Sequence, residues 1–113
     1  MRLKSEIWVH AFLRRSFVNG LYGAVLRKGA AEAGAIYVVV NRLDGTVKVL
    51  GPPPGSAIDE LGERLWSEVI PPVTSAADIA SFIQRLAEFD PDIWVVEVED
   101  RTGTAGLSVL AVE

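Results

Sequence analysis

Apolar positions fall at helical intervals in one stretch of the chain, and in several others they run together or alternate. The helical stretch opens at Ser75, which with Asp78 three residues on forms a capping box. Ile79, Phe82, Ile83 and Leu86 then make one apolar stripe, and Asp78, Ser81, Arg85 and Glu88 make a polar stripe opposite. This predicts a helix lying on a sheet and ending at Asp90-Pro91. Ile93 to Val98 reads as a central strand, apolar on both faces until Glu97, Glu99 and Asp100 emerge. Ala35 to Leu43 and Thr46 to Leu50 are β-rich runs joined at Asp44-Gly45, the dipeptide of a two-residue type I′ hairpin. Leu21 to Leu26 and Leu107 to Val112 read as further strands, the latter after a turn at Thr102-Gly103-Thr104.

Two segments are ambiguous. Residues 2–19 contain neither Gly nor Pro and stop at Asn19-Gly20, so length favours a mostly buried helix. Their apolar positions spread round a helical wheel, and Ile7, Val9, Ala11 and Leu13 would equally line a strand. After the turn Gly51-Pro52-Pro53-Pro54-Gly55, Ser56 and Asp59 resemble a second capping box with Ile58, Leu61 and Leu65 at helical spacing. Gly62 weakens that helix, and Leu65 to Ile70 fits a strand as well before Pro71-Pro72 closes it. Strands in runs with few helices between them predict an α+β fold: a mainly antiparallel sheet of about five strands with two main helices packed on one face. The length of 113 residues suits a single domain spanning 1–113.

Composition removes several classes of chemistry. There is no cysteine, so thiol catalysis, disulfides and cysteine-based metal sites are excluded. Neither the apolar run Ile7 to Leu13 nor Ala35 to Val40 approaches the roughly 20 residues a membrane span needs, and the first lacks a signal-peptide cleavage site. A cytoplasmic protein without a membrane partner is therefore expected. Charge is unevenly laid out. Residues 1–48 carry eight basic and three acidic side chains, net +5, whereas residues 49–113 carry three basic and twelve acidic, net -9. Such asymmetry points to a polar partner or to two halves that offset each other within one fold.

Arg2-Leu3-Lys4-Ser5 with Ile7-Trp8-Val9, Leu13-Arg14-Arg15, Gly34-Ala35-Ile36, and the block Asp90-Pro91-Asp92-Ile93-Trp94-Val95-Val96-Glu97-Val98-Glu99-Asp100 form a recognisable set. Through these residues the chain resembles, over nearly its whole length, a family of small alphaproteobacterial proteins catalogued only as a domain of unknown function. Residues 51–74 and the tail after Asp100 carry little of it. The resemblance implies a compact cytoplasmic domain and supplies no catalytic residues.

Three constellations bear on function. Asp90, Asp92, Glu97, Glu99 and Asp100 are the densest carboxylates, and a hard cation would require them to converge from different elements. Pro91-Asp92 followed by Glu97-x-Glu99 resembles in outline the Pro-Asp and Glu-x-Lys pairs of a large nuclease superfamily. Glu99 stands where that pattern has Lys, and the spacing is too short to cross a hairpin. Arg14, Arg15, Arg27, Lys28 and Arg42 would bind phosphates if they converged, with Trp8, Tyr22 or Tyr37 stacking on bases. The acidic pI near 5.0 and the lack of a nucleic-acid signature weigh against that. His10, the lone histidine, is expected to be partly buried and structural, since no nucleophile motif accompanies it. Trp94 is expected in the core. Trp66, after a charged glycine-containing segment, is expected to be partly exposed and is the candidate contact residue.

The leading expectation is a non-enzymatic interaction module that binds a protein partner or itself, the latter as a homodimer, through a hydrophobic patch flanked by oppositely charged surfaces. Its candidate surface is Trp66, Arg14, Arg15, Asp92, Glu97 and Glu99, with no catalytic residue, metal ligand or cofactor assigned. A metal-dependent enzyme on the acidic block stands second, and a nucleic-acid binder third.

Overall fold

The computed structural model describes residues 3–55, 58 and 62–110. Helix α1 (Ser5–Val18) leads into strand β1 (Gly23–Arg27), the hairpin β2 (Ile36–Asn41) and β3 (Val47–Gly51), and a two-residue strand β4 (Ser67–Glu68). A 3-10 turn (Ala76–Asp78) then opens α2 (Ile79–Phe89), and β5 (Trp94–Glu99) follows. The strands form one sheet in the order β1-β5-β2-β3-β4. Of the pairings between these described strands, β2–β5 is parallel and the other three are antiparallel. The fold is α+β with a five-stranded, mostly antiparallel sheet, as expected.

The two helices lie on opposite faces of that sheet, which corrects the expectation that both pack on one. Ile36, Val38 and Val40 of β2 with Trp94, Val96 and Val98 of β5 join Val9 and Phe12 of α1 in one core. Val39, Val49 and Val95, from the other face, join Ile79 and, at its edge, Phe82, Ile83 and Leu86 of α2. Two central strands that are apolar on both sides need cover on both sides, and one helix per face provides it.

Residues 2–19 are helical over 5–18, but only Ser5, Val9, Phe12 and Ser16 are fully buried, so α1 is not mostly buried. Ile7, Phe17 and Val18 face out, and His10 is exposed rather than partly buried. The first turn of α1 is closed from outside the helix. Ser5 and Glu6 N–H donate to the carbonyls of Glu32 and Ala31 at 3.0 and 2.9 Å, and Ser5 Oγ donates to Gly34 O at 2.5 Å. Lys4 Nζ lies 3.7 Å from the Glu32 carboxylate beside it.

The β2–β3 hairpin is present, with a different turn. Leu43 and Gly45 take positive φ, 63° and 89°, and Asp44 does not, so this is no two-residue type I′ turn. Arg42 N–H donates to Thr46 O at 3.0 Å, enclosing three residues. Asp44 Oδ1 accepts from Thr46 N–H and Oγ1 at 2.9 and 2.6 Å, a local side-chain arrangement that outweighs the dipeptide's preference. Before α2, Ser75 Oγ accepts from Ala77 N–H at 3.3 Å as an N-cap, while Asp78 N–H donates to Ser75 O at 3.0 Å, so the bond to Asp78 N–H that the expected capping box requires is replaced by a 3-10 turn.

The fifth strand is β4, within the segment that read equally as helix or strand, and not the tail. Over its described residues the tail contributes an isolated bridge, Val109 to Trp66, with Leu110 N–H donating to Trp66 O at 2.7 Å. Ala105 and Gly106 at positive φ turn the chain there before it can pair over any length. Ser56, Asp59 and Leu61 of the second capping segment, and Val112 at the end of the expected last strand, lie outside the described residues. Among the described residues no helix is long and apolar enough to cross a membrane.

Candidate interaction surface

The acidic block is occupied largely by loop-building. Asp90 Oδ1 accepts from Asp92 N–H at 3.1 Å, closing the turn between α2 and β5. Asp100 Oδ1 accepts from Thr102 and Gly103 N–H at 3.2 and 2.9 Å, and Oδ2 from Ala105 N–H at 3.0 Å. Arg42 Nη1 closes the same loop by donating to the carbonyls of Asp100, at 3.0 Å, and Gly103. Glu97 stands beside Val39 and Glu99 beside Asn41 in the β5–β2 register, and Asn41 Nδ2 reaches Glu97 Oε2 at 3.5 Å. Among the described residues no three His, Cys, Asp or Glu side chains come together as a metal set.

The backbone donors, that of Gly103 foremost, hold the Asp100 carboxyl below its ordinary value of 3.8. A depressed carboxyl contributes stability above its unfolded value and loses it as pH falls through the lower folded one. Asp100→Asn should therefore lower stability at pH 7, by about 1 kcal/mol once solvent screening of this accessible carboxyl is allowed for. Urea unfolding of the two proteins at a series of pH values should show that gap closing below pH 4; a gap independent of pH would mean the charge contributes nothing.

The basic set does not converge. Arg27 Nη2 donates to Pro91 O at 2.8 Å, and Arg42 is committed to the 100–103 loop, so the basic half of the chain meets the acidic half through backbone carbonyls. Arg14 points outward from α1. Arg15 lies over the Phe12 ring at 5.9 Å, at the edge of a hollow of about 340 Å³ between α1 and residues 62–64.

Trp66 lies in the wall of an adjoining hollow and is 2 % exposed, so its expected role as an exposed contact is corrected. It is sealed against Trp8, whose ring is 5.2 Å away, and beneath the tail at Val109 and Leu110. A burial imposed by a neighbouring helix and a returning tail has no signature in the residues around Trp66. Of the expected surface residues, Arg15 and Trp66 line a common hollow; Asp92, Glu97 and Glu99 lie elsewhere.

Besides Phe17, Val18 and Tyr22 near the end of α1, exposed apolar side chains lie on the α2 side of the sheet, where they border a concavity. A groove of about 470 Å³ runs between α2 and residues 69–73, with Phe82 and Leu86 on the helix side and Val69 and Val73 opposite. Through Val69, Ile70, Phe82 and Leu86 it continues into a hollow of about 280 Å³ beside Tyr37, Pro52 and Pro54. Ile70 is 81 % exposed and Phe89 90 %, and both line the groove. Tyr37 packs edge-on to Phe82 at 6.3 Å, and burial, reinforced by the Asp90 charge, pushes its hydroxyl above the usual phenol value. Gly51 makes the room: a Cβ there would sit 2.6 Å from the Tyr37 ring.

Sequence reading missed Ile70 and Phe89. Phe89 continues the apolar stripe three residues after Leu86, and Ile70-Pro71-Pro72-Val73 is an apolar run without a strand pattern, which are the signals that bore on them.

A model of a protein family of unknown function, DUF1491, matches residues 3–108. The chain belongs to the DUF1491 family. A crystal structure of a DUF1491 family protein from Caulobacter crescentus CB15 superposes with a TM-score of 0.78 at 37 % identity, covering 98 % of this chain and 100 % of that one. The solution structure of protein Atu0922 from A. tumefaciens gives 0.78 at 40 % identity over 100 % and 98 %. An NMR structure of the DUF1491 family protein from C. crescentus CB15 gives 0.74 at 38 % over 98 % and 99 %. No curated protein matches the chain.

The segments that carry the DUF1491 resemblance meet in space. Ala30 N–H donates to Asp92 O at 2.9 Å, Trp94 Nε1 to Ala30 O at 2.7 Å and Trp94 N–H to Ala35 O at 2.8 Å, while the Ser5 hydroxyl holds the Gly34 carbonyl. The segment 28–35 is thereby clamped between the start of α1 and the start of β5, a structural role.

Proposed function

We propose that the chain is a non-enzymatic interaction module that docks a protein partner through the groove between α2 and residues 69–73. One observation carries this reading: two large apolar side chains, Ile70 and Phe89, are almost fully exposed on the same apolar groove. Isolated exposed apolar residues are ordinary on any surface, but a contiguous patch around a concavity is costly in water unless something covers it. Oppositely charged side chains, Asp78 and Arg85, border the groove, which supports it as the hydrophobic patch with mixed charge that an interaction module needs.

The double substitution Ile70→Ser, Phe89→Ser should leave stability within about 0.5 kcal/mol, because neither side chain is part of a core. A photo-crosslinking amino acid at position 89 should capture a discrete protein species in living cells, and the same group at exposed Gln84 should not. Equal yields at both positions, or none at 89, would remove the groove as a docking surface.

A further inference from the structure

We propose that the protein docking in this groove is a second copy of the chain, set about a twofold axis with its α2 antiparallel; this rests on the reading of the groove given above. Asp78, Phe82, Arg85 and Phe89 follow at i, i+4, i+7 and i+11, so they form one stripe along the groove side of α2. The two charged members have opposite signs. Neither side chain has a hydrogen bond or ion pair among the described residues. Seven residues set them about 10 Å apart along the helix.

An isologous interface must be its own complement: whatever residue i meets, the partner's copy of that residue meets i. A stripe with one acid and one base satisfies this when the axis passes midway between them, near Ser81 and Phe82. Each Asp78 then faces the partner's Arg85, and both unpaired charges on each copy are matched in one operation. The same axis carries Phe89, the last residue of α2, past the start of the partner's α2 toward the end of the groove that Val73 lines, so the most exposed aromatic of each chain approaches the concavity of the other. A parallel arrangement would set Asp78 against Asp78 and Arg85 against Arg85. A contact confined to this groove and helix face is expected at the small end of specific interfaces, about 1,000 Å² in total, as a weak dimer with a dissociation constant on the order of micromolar.

Sedimentation velocity of the full chain from about 5 to 500 µM tests this, since that range brackets a micromolar constant. The expected result is a concentration-dependent dimer. D78R and R85D should each weaken it at least about tenfold by replacing two attractive rim pairs with two repulsive ones. The double variant D78R/R85D should regain the dimer by exchanging the two charges. Asp78 is at the helix start, where D78R opposes the helix dipole. The double variant retains that fold cost, so recovery of association separates pairing from folding.

A chain that stays monomeric throughout, or a double variant no better than the singles, would overturn self-docking. Cross-linking at position 89 then separates the two readings. Capture of a different protein by a monomeric chain overturns the second-copy proposal and leaves the groove as a docking site, whereas no capture overturns both.

Discussion

Trp94→Ala should lower the unfolding free energy by about 4–5 kcal/mol, the largest single-residue loss expected in this protein. Trp94 is 1 % exposed at the start of β5, between the sheet and α1. Truncation removes the indole from that core, leaves a cavity that the flanking Ile36 and Val96 cannot fill from strands held on both sides, and orphans the Ala30 carbonyl that accepts from Nε1. Domains of this size have about 5–15 kcal/mol in all, so the variant should be marginal, with a melting temperature lower by about 20 °C. Trp94→Phe retains most of the ring volume and loses the hydrogen bond, so it should cost about 2 kcal/mol. Urea unfolding followed by circular dichroism reads both. A loss below about 2 kcal/mol for the alanine variant would mean that the clamp on residues 28–35 does not depend on this side chain.

Gly34→Ala should cost about 3 kcal/mol, although a single methyl is added and the backbone needs no left-handed conformation there. A Cβ at position 34 would lie 2.1 Å from Asp92 O and about 3 Å from the Ala30 backbone. The first obstacle is a carbonyl already held by Ala30 N–H at 2.9 Å, so it cannot rotate away. Displacing it would also draw Gly34 O from Ser5 Oγ and loosen the carbonyls of Ala31 and Glu32 that close the first turn of α1. The melting temperature should fall by more than 10 °C, whereas Ala33→Ser at the exposed neighbouring position should change it little. Equal melting temperatures for Gly34→Ala and the parent would show that the 28–35 segment moves freely against β5.

Elements with strong periodicity are legible in the residues themselves. The stripe Ile79, Phe82, Ile83, Leu86 specifies α2 because only a helix brings those positions to one side, and the run Ile93 to Val98 specifies an interior strand because both of its faces are apolar. That second fact already implies cover on both sides of the sheet, yet the pattern within each helix says nothing about which face it covers, so the helices are expected together and found apart. Residues 65–70 are ambiguous for a different reason. A two-residue edge strand has too little periodicity to be distinguished from a helical turn, and its pairing with Leu50 and Gly51 is decided by β3.

The candidate surface is less legible than the fold. Trp66 and Phe89 are both large, apolar and flanked by charge, and one is sealed while the other is bare. What separates them is the distant chain that covers Trp66: Trp8 from α1 and Val109 from the tail. Asp92, Glu97 and Glu99 form a cluster in sequence, whereas in space Asp92 belongs to a turn and the other two to a strand. The sequence by itself determined α2, the β2–β3 pairing and the apolar character of β2 and β5, because these depend on neighbours a few residues apart, and its motifs identified the family. The tertiary structure alone decided which face each helix covers, which tryptophan is buried and where the open groove lies, because each depends on contacts between elements and not on the pattern within one, as when Trp8 and Val109 close over Trp66.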